Sequence, residues 1–500
     1  MVEVAEPLSP KWWLSRLCSA LEEQRRKNEI YRQYYCGIFP FPWLNDDAKA
    51  EFERLLALTN SNYMGLVVDA QVERQEVVGF RVNTRGDNTG SDKIADDVMW
   101  RIWQHSQMDT YSDLALLEAA VTGRAYLMLD PPGRGSSMPQ IFVEHPDQMI
   151  MEFFPGTNRR VPAAALKMWV DDWTGKTMAT MHLWQQHAHW VYKFVSRQAA
   201  GSNRPDWVMR ELPDERWPAR TGMSRIPVWE MPNNPLLLYG GRSEIDDLMA
   251  IQDRVNKGLA DRLVAQDFGA FPQRWATGWP EYDAAGNATQ KVDVGQTRLL
   301  GTDAIDARFG SFAATDLEGF ISTKLADVRD IASRSRTPAH YLLGDVTNVA
   351  GDTLRMAETG LAAKVRQRNR PHSASLESLA PMARVLSGEP ALPDTVVVET
   401  LWRDPEFRSE GELVDALVKM RTLGVPFEAL WERWGATPVE IQRWRQMYEE
   451  ELRRQAAADP LATLAGRYVQ PGDAAPADSP ATGARVGARG SQPVSTGSEA

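Results

Sequence analysis

Three histidines lie close together in the sequence and could supply imidazole ligands to a metal ion. His187 and His189 are two residues apart, so both could lie on one side of a β-strand near His182. No cysteine and no nearby pair of carboxylates completes a tetrahedral or facial metal site. A surface or interface role is therefore the favoured interpretation of these histidines, and we expect neither a bound metal nor a cofactor.

Four aspartates, Asp246, Asp247, Asp253 and Asp261, raise the alternative of an acidic nuclease. Asp246 and Asp253 are seven residues apart and would share one face of a helix. The same spacing is typical of the solvated side of an amphipathic helix, which is the favoured interpretation.

The segment from Thr174 to Thr177 resembles the end of a phosphate-binding loop. Such a loop needs a glycine where Val170 stands, and a helix whose first amides bind the phosphate. A strand pattern follows instead, so a hairpin turn is favoured. Nucleophile-elbow and zincin motifs are also missing from the sequence, and we expect no catalytic site.

A single run of alternating cations could contact phosphates: Lys364, Arg366, Arg368 and Arg370. The run could equally pair with acidic residues of a neighbouring subunit or face solvent.

Composition limits the class of protein further. The 500 residues exceed one ordinary core and imply about two to four domains. Cys18 and Cys36 are the only cysteines, which fits a reducing compartment, and neither a secretory signal nor a membrane-spanning segment is expected. The net charge of −11 does not indicate the basic surface with which proteins bind DNA tightly. It either keeps the protein soluble or suits a channel along which DNA must slide.

The first part of the chain predicts an α+β region. We expect helices over 11–35, 47–58, 65–75, 93–105 and 111–121, with strands over 77–82 and 124–130. Gly123 is expected to cap the last of these helices. Strands over 165–173, 178–184 and 189–195 form a predicted antiparallel meander, and 199–220 reads as a surface loop.

The middle of the chain predicts two helices that flank an insert. Ser243 is expected to cap the first helix. A capping box from Thr315 to Glu318 is expected to start the second helix. Between them, 268–312 is rich in glycine and reads as a small β-rich insert. Pro338 should end the second helix.

A long helix should then start near Asp352 or Thr353, with kinks or interruptions at Pro371 and Pro381. A strand over 396–402 and a helical bundle over 409–455 are predicted next. The tail from 456 is rich in Ala, Pro, Gly and Ser, and is expected to be disordered.

Several short segments in this order resemble tailed-bacteriophage portal proteins, in the SPP1 portal-like family and its actinobacteriophage branch. The resemblance covers about residues 25–455. The matching segments are Val68-Asp69-Ala70, Gly79-Phe80-Arg81, Gly241-Arg242-Ser243-Glu244, Gln252-Asp253-Arg254-Val255-Asn256, Phe271-Pro272-Gln273-Arg274-Trp275, Thr337-Pro338-Ala339-His340-Tyr341-Leu342-Leu343-Gly344 and Trp402-Arg403-Asp404-Pro405. One departure is Ala350-Gly351-Asp352-Thr353-Leu354, where relatives often carry Ser-Gly-Glu-Ala-Leu.

The resemblance implies an α+β, mainly helical portal fold that assembles as a ring. The implied regions are a wing (1–240), stem helix one (241–267), a clip (268–315), stem helix two (316–336), a tunnel loop (337–352), a long kinked helix with a wing return strand (353–408), a crown (409–455) and a disordered tail (456–500). The implied tunnel-loop residues near DNA are His340, Tyr341, Leu342, Leu343, Asp345, Val346, Thr347, Asn348 and Val349. The implied docking residues of the clip are Arg274, Trp275, Trp279 and Tyr282.

The implied function is a DNA channel at one capsid vertex and not an enzyme. The implied partners are eleven further copies in a dodecamer, double-stranded DNA without sequence readout, the terminase large subunit, head-completion or adaptor proteins, and the major capsid and scaffolding proteins. No membrane is implied. The expected location is the virion, with the host cytoplasm during assembly. The competing hypotheses are another head–tail structural protein, such as a minor capsid protein or adaptor, and a hydrolase acting on DNA.

Overall fold

A computed structural model describes most of the chain: residues 6–40, 58–84, 93–133, 135–197, 206–211, 216–270, 274–278, 306, 308–311, 316–344, 351–393, 396–406, 410–436 and 438–458. It divides into one unit over residues 1–441 and a second over 442–500. About half of the described residues are helical and the remainder include four β-sheets, so the fold is mixed α/β.

The elements follow one another along the chain in a mixed order. The helices are α1 (Pro10–Cys36), α2 (Tyr63–Val72), α3 (Asp97–His105), α4 (Met108–Thr122), α5 (Met249–Ala270), α6 (Glu318–Ser335), α7 (Ala339–Leu343), α8 (Gly351–Leu386), α9 (Glu410–Thr422), α10 (Phe427–Trp434) and α11 (Pro438–Ala458). The strands are β1 (Val77–Thr84), β2 (Lys93–Ala95), β3 (Arg124–Asp130), β4 (Gln140–Glu144), β5 (Met149–Phe153), β6 (Pro162–Asp171), β7 (Lys176–Gln185), β8 (Ala188–Arg197), β9 (Asp206–Met209), β10 (Ala219–Arg220), β11 (Val228–Pro232), β12 (Arg274–Thr277), β13 (Arg308–Ser311) and β14 (Val396–Trp402).

Helix α1 links two separate cores. Ser9 caps its start by accepting a hydrogen bond from the Trp12 amide, and Gly37 ends it in the left-handed region at φ 76°. Leu17 is buried against the meander sheet, whereas Tyr34 at the other end packs with α2 and α5. The helix therefore joins the sheet to the paired helices further along the chain.

The predicted antiparallel meander is confirmed. Strands β5 to β8 pair in sequence, and Asp171 at the end of β6 lies opposite Lys176 at the start of β7. The segment around Thr174 is thus the hairpin turn, as expected. The predicted loop over 199–220 is only partly a loop, because β9 and β10 both pair with β8.

The largest core lies between two three-stranded sheets and helices α3, α4 and α8. One sheet has the order β14-β1-β2 and the other β11-β3-β4. Phe80, Trp103 and Leu127 are almost fully buried there with Leu376 of α8 and Val398 of β14. Burial of large side chains from such distant parts of the sequence holds the first unit together.

Several predicted boundaries were wrong. Lys93–Ala95 pairs with β1 instead of starting a helix. Ser243 does not cap α5, which begins six residues later; its hydroxyl donates to the Val121 carbonyl and accepts from the Ile245 amide. Ser243 therefore secures a turn before the helix.

Helix α8 was predicted to be kinked or interrupted at Pro371 and Pro381, and it is not interrupted, because it is continuous from Gly351 to Leu386. The Ser375 hydroxyl lies 3.2 Å from the Pro371 carbonyl and 2.6 Å from the Glu230 carbonyl. The contact with β11 therefore helps to offset the local cost of Pro371. In the second unit, α11 continues to Ala458, three residues beyond the predicted bundle. The predicted helix over 47–58 and the tail from 459 lie outside the described residues, apart from Leu58.

Candidate functional site

The two helices that the sequence predicts on either side of the insert are α5 and α6. Val255 and Val328 pack in one apolar core. Arg254 crosses between the helices, with its Nε 2.7 Å from Asp327 Oδ1 and its Nη2 3.2 Å from Asp330 Oδ2. Between the two helices in the sequence, β12 and β13 pair antiparallel. The predicted order of helix, β insert and helix is therefore present in the described residues.

Two tyrosines of α1 hold carboxylates at the start of this helix pair. The Tyr31 hydroxyl donates to Asp246 at 2.8 Å, and the Tyr34 hydroxyl donates to Asp253 at 2.9 Å. Burial, reinforced by Asp246, raises the pKa of Tyr31 to about 12. Burial raises the pKa of Asp253 while the Tyr34 hydroxyl lowers it. Burial also raises the pKa of Tyr34, so both hydroxyls remain donors at neutral pH.

These contacts give the aspartates structural partners. Asp247 lies 2.9 Å from Arg242, and Asp261 lies 2.6 Å from Lys257. Within the described ranges, no group of three or more His, Cys, Asp or Glu side chains is placed to hold a metal ion.

The segment after α6 folds back onto the chain. Residues Ala339–Leu343 form the one-turn helix α7, ended by Gly344 at φ 67°. The Tyr341 hydroxyl accepts a 2.6 Å hydrogen bond from Arg74, and His340 lies 3.7 Å from the Glu358 carboxylate. Leu342 is buried and Leu343 is partly buried.

The first part of the predicted tunnel loop is therefore docked on α2 and α8. The remaining loop residues of the prediction lie outside the described residues: Asp345, Val346, Thr347, Asn348 and Val349.

Two members of the basic run are buried. Lys364 is 2% exposed, and its Nζ lies 2.9 Å from Glu244 Oε2 and 3.1 Å from the Ser335 carbonyl. Arg368 donates to Glu244 Oε1 at 2.5 Å and to Asn234 Oδ1 at 2.9 Å. Burial alone would raise the pKa of Glu244, but Lys364 and Arg368 hold it at about 2. These two cations join α8 to the segment before α5.

The other two members of the run point elsewhere. Arg366 lies 2.9 Å from Asp404 and 2.6 Å from Glu406, on the segment after β14. Arg370 is exposed. Arg366 is exposed as well, but it is ion-paired, whereas Arg370 forms no ion pair with any described residue.

The docking residues predicted for the insert are described only in part. Trp275 lies on β12 and is 39% exposed. Arg274 is the first residue of β12, whereas Trp279 and Tyr282 lie outside the described residues.

The histidine prediction was wrong for two of the three residues. His182 and His189 are buried, their rings stack with centroids 5.2 Å apart, and His182 Nδ1 lies 3.1 Å from His189 Nε2. Burial lowers the pKa of His182 to about 3 and that of His189 to about 4. His187 does not share a strand face with His189, because it lies in the turn between β7 and β8 at φ 57°.

A close crossing of two glycines was not foreseen. Gly123 follows α4 at φ 93°, which confirms its predicted capping role. A Cβ built on Gly241 would overlap the Gly123 carbonyl oxygen, which also accepts from the Asn233 amide at 2.9 Å. The crossing positions Glu244 beside α8. The resembling segment at 241–244 was the only sequence signal for it.

Comparisons with a family model and with two other phage proteins give matches over most of the chain. The family model described as "Phage portal protein, SPP1 Gp6-like" matches residues 16–454. The portal protein of Mycobacterium phage D29 is 26% identical over 466 residues, which cover 90% of each chain. The portal protein of Mycobacterium phage L5 is 26% identical over 467 residues, again with 90% of each chain covered. In the parts of the chain that the structure describes, no helix is long and apolar enough to cross a membrane.

Proposed function

The chain belongs to the SPP1 Gp6-like family of phage portal proteins, and from this premise we propose that it forms a ring at one capsid vertex through which double-stranded DNA is packaged and later ejected. Phage portal proteins are structural virion components and not enzymes. The proposed ring is a dodecamer, assembled in the host cytoplasm. The family match over residues 16–454 carries the proposal.

The order of helices and strands supports a separate structural role for each segment of the chain. We assign α5 and α6 to the stem and the insert over 268–315 to the clip. The clip would dock the terminase large subunit during packaging and head-completion or adaptor proteins afterwards. The wing (1–240) would face the major capsid and scaffolding proteins, and the crown (409–455) the capsid interior.

The proposed DNA contacts are weak and independent of sequence. Residues 337–352 would form the constriction, and their side chains from Asp345 to Val349 would be nearest the duplex. Because affinity for DNA comes mainly from cationic phosphate contacts, a loop with a single charge over these residues can touch DNA without holding it. The exposed Arg370 is the best-placed cation of its run for a phosphate or a neighbouring subunit. A separate ATPase would supply the energy for packaging.

Native mass spectrometry with negative-stain imaging of the purified protein tests the proposal. A ring near twelve copies, with a hole wide enough for duplex DNA, is the expected result. A chain that remains monomeric at high concentration and with scaffolding protein would contradict the ring, and an adaptor or minor capsid role would then replace it.

A further inference from the structure

A small polar cavity lies between the segment before α5, the end of α6 and the middle of α8. Its volume is about 220 Å³, roughly seven times the ~30 Å³ that a water molecule occupies in the liquid. Leu248 is the only apolar residue that lines it. It is therefore unsuited to an apolar ligand and has room for a small polar one.

The lining of this cavity has more cations than carboxylates. The cations are Arg242, Arg334, Arg336, Lys364 and Arg368, and the carboxylates are Glu244 and Asp247. Asp247 pairs with Arg242, and Arg334 pairs with Asp330 outside the lining. Glu244 alone faces both Lys364 and Arg368. Arg242 also lies 3.4 Å from Asp246 outside the lining, so the five cations and their four carboxylates leave an excess of one positive charge. Two cations nevertheless have no carboxylate of their own, one at the Glu244 cluster and the other at Arg336.

Arg336 is the second of these cations. It ends α6 in the left-handed region at φ 54° and is exposed. No carboxylate of the described residues forms an ion pair with Arg336. The pKa of the buried Lys364 is lowered mainly by burial, and the charges of Arg368 and Arg336 lower it further. Repulsion between cations around a cavity is unfavourable unless an anion enters.

We propose that this cavity binds a doubly charged tetrahedral oxyanion of the phosphate class. The two cations without a carboxylate of their own, one at the Glu244 cluster and the other at Arg336, can each face one charge of a dianion, whereas a carboxylate carries a single charge. Guanidinium groups from α6 and α8 present several N–H donors, which suits an oxyanion with acceptors in several directions. The bound anion would join the end of α6 and the middle of α8 to the segment before α5.

Equilibrium dialysis of the full-length protein against labelled inorganic phosphate, at constant ionic strength with chloride as the reference anion, tests the site. We expect saturable binding of about one phosphate per chain. Arg336→Gln should weaken it about tenfold or more, because one charge-assisted contact is lost. Arg329→Gln removes an exposed cation of the same helix that does not line the cavity, and should leave binding unchanged.

The charge of the ligand gives a second readout. Phosphate binding should strengthen as the pH rises from about 5.5 to about 8, because phosphate then gains its second charge. Sulfate, which is a dianion throughout, should bind with little pH dependence. Both variants change exposed side chains, and far-UV circular dichroism will establish that they fold.

Competition with a short DNA duplex at low salt identifies the source of the oxyanion. Displacement of labelled phosphate by the duplex assigns the cavity to backbone phosphates, and no displacement assigns it to the free anion. Absent saturable binding, or equal weakening by Arg336→Gln and Arg329→Gln, would overturn the proposal. Binding to the unassembled chain but not to the ring would also overturn it, because a carboxylate of a second copy would then fill the cavity.

Discussion

Replacement of the Glu244 carboxylate by an amide should strongly destabilise the first unit. Glu244→Gln keeps the size of the side chain but removes the anion that Lys364 and Arg368 share. Both cations are at most 10% exposed, so water cannot take over the role of the carboxylate. Removing one partner of a buried ion pair typically costs about 3 to 5 kcal/mol of the free energy of unfolding.

The pKa of Glu244 reflects the same interactions. Lys364 and Arg368 hold it at about 2, below its ordinary value of 4.5, because they favour the ionised carboxylate in the folded state. Because the folded pKa is the lower one, this stabilisation is complete above pH 4.5 and is lost as the pH falls towards 2. The amide variant should lack this part of the acid sensitivity.

Urea unfolding followed by tryptophan fluorescence, at pH 7 and at about pH 3, measures both effects. Asp261→Asn is the matched control, because it removes a carboxylate whose partner Lys257 is half-exposed on the same helix. The control should change the free energy of unfolding by less than about 0.5 kcal/mol. A loss below about 1 kcal/mol for Glu244→Gln, or an unchanged acid sensitivity, would refute the reasoning.

Three further changes test other parts of the fold. Gly241→Ala should destabilise the protein by several kcal/mol or prevent folding, because the added Cβ would overlap a backbone oxygen. The control Gly258→Ala in α5 adds a Cβ that meets no atom within 4 Å and should stabilise the protein by about 0.5 to 1 kcal/mol. Thermal unfolding compares the two variants, and equal melting temperatures would contradict the close crossing of Gly123 and Gly241. The wild-type protein should lose stability as the pH falls from 6.5 towards 4, because His182 and His189 are held neutral in the folded state. The His182→Phe variant should have a urea midpoint that depends less on pH in that range. An unchanged dependence of the urea midpoint on pH would count against the buried pair. Arg254→Ala should cost only about 0.5 to 1 kcal/mol, since the side chain is 54% exposed; a much larger loss in urea unfolding would mean that the pair is buried in the assembled protein.

Local sequence patterns were sufficient to predict the structure of segments whose conformation is determined by neighbouring residues. The turn at Thr174 and the cap at Gly123 follow from short-range backbone chemistry, and both were predicted. The order of helix, insert, helix and long helix was also predicted, because helical periodicity is strong over such lengths.

Long-range burial was not predictable from the same patterns. Lys364 and Arg368 are four residues apart and share one helix face, as Arg366 and Arg370 do on another. The spacing alone does not indicate which face is covered, and the answer depends on Glu244, more than a hundred residues earlier in the chain. The histidines were misjudged for a similar reason, since the turn that contains His187 pairs β7 with β8 and places His189 diagonally opposite His182.

The pairing of β1 with β14 also affects the timing of biosynthesis. Val77 lies opposite Trp402, so the central strand of this sheet waits for a partner that is made about 320 residues later. At about 5 to 20 residues per second, a ribosome needs roughly 15 to 60 seconds to complete that interval. During this time Phe80 and its neighbours lack Val398 as a cover. The apolar side chains around Phe80 are therefore exposed for a long time in the nascent chain, during which chaperones can bind them or the chain can aggregate. The complete sheet forms only after nearly the whole first unit has been synthesised.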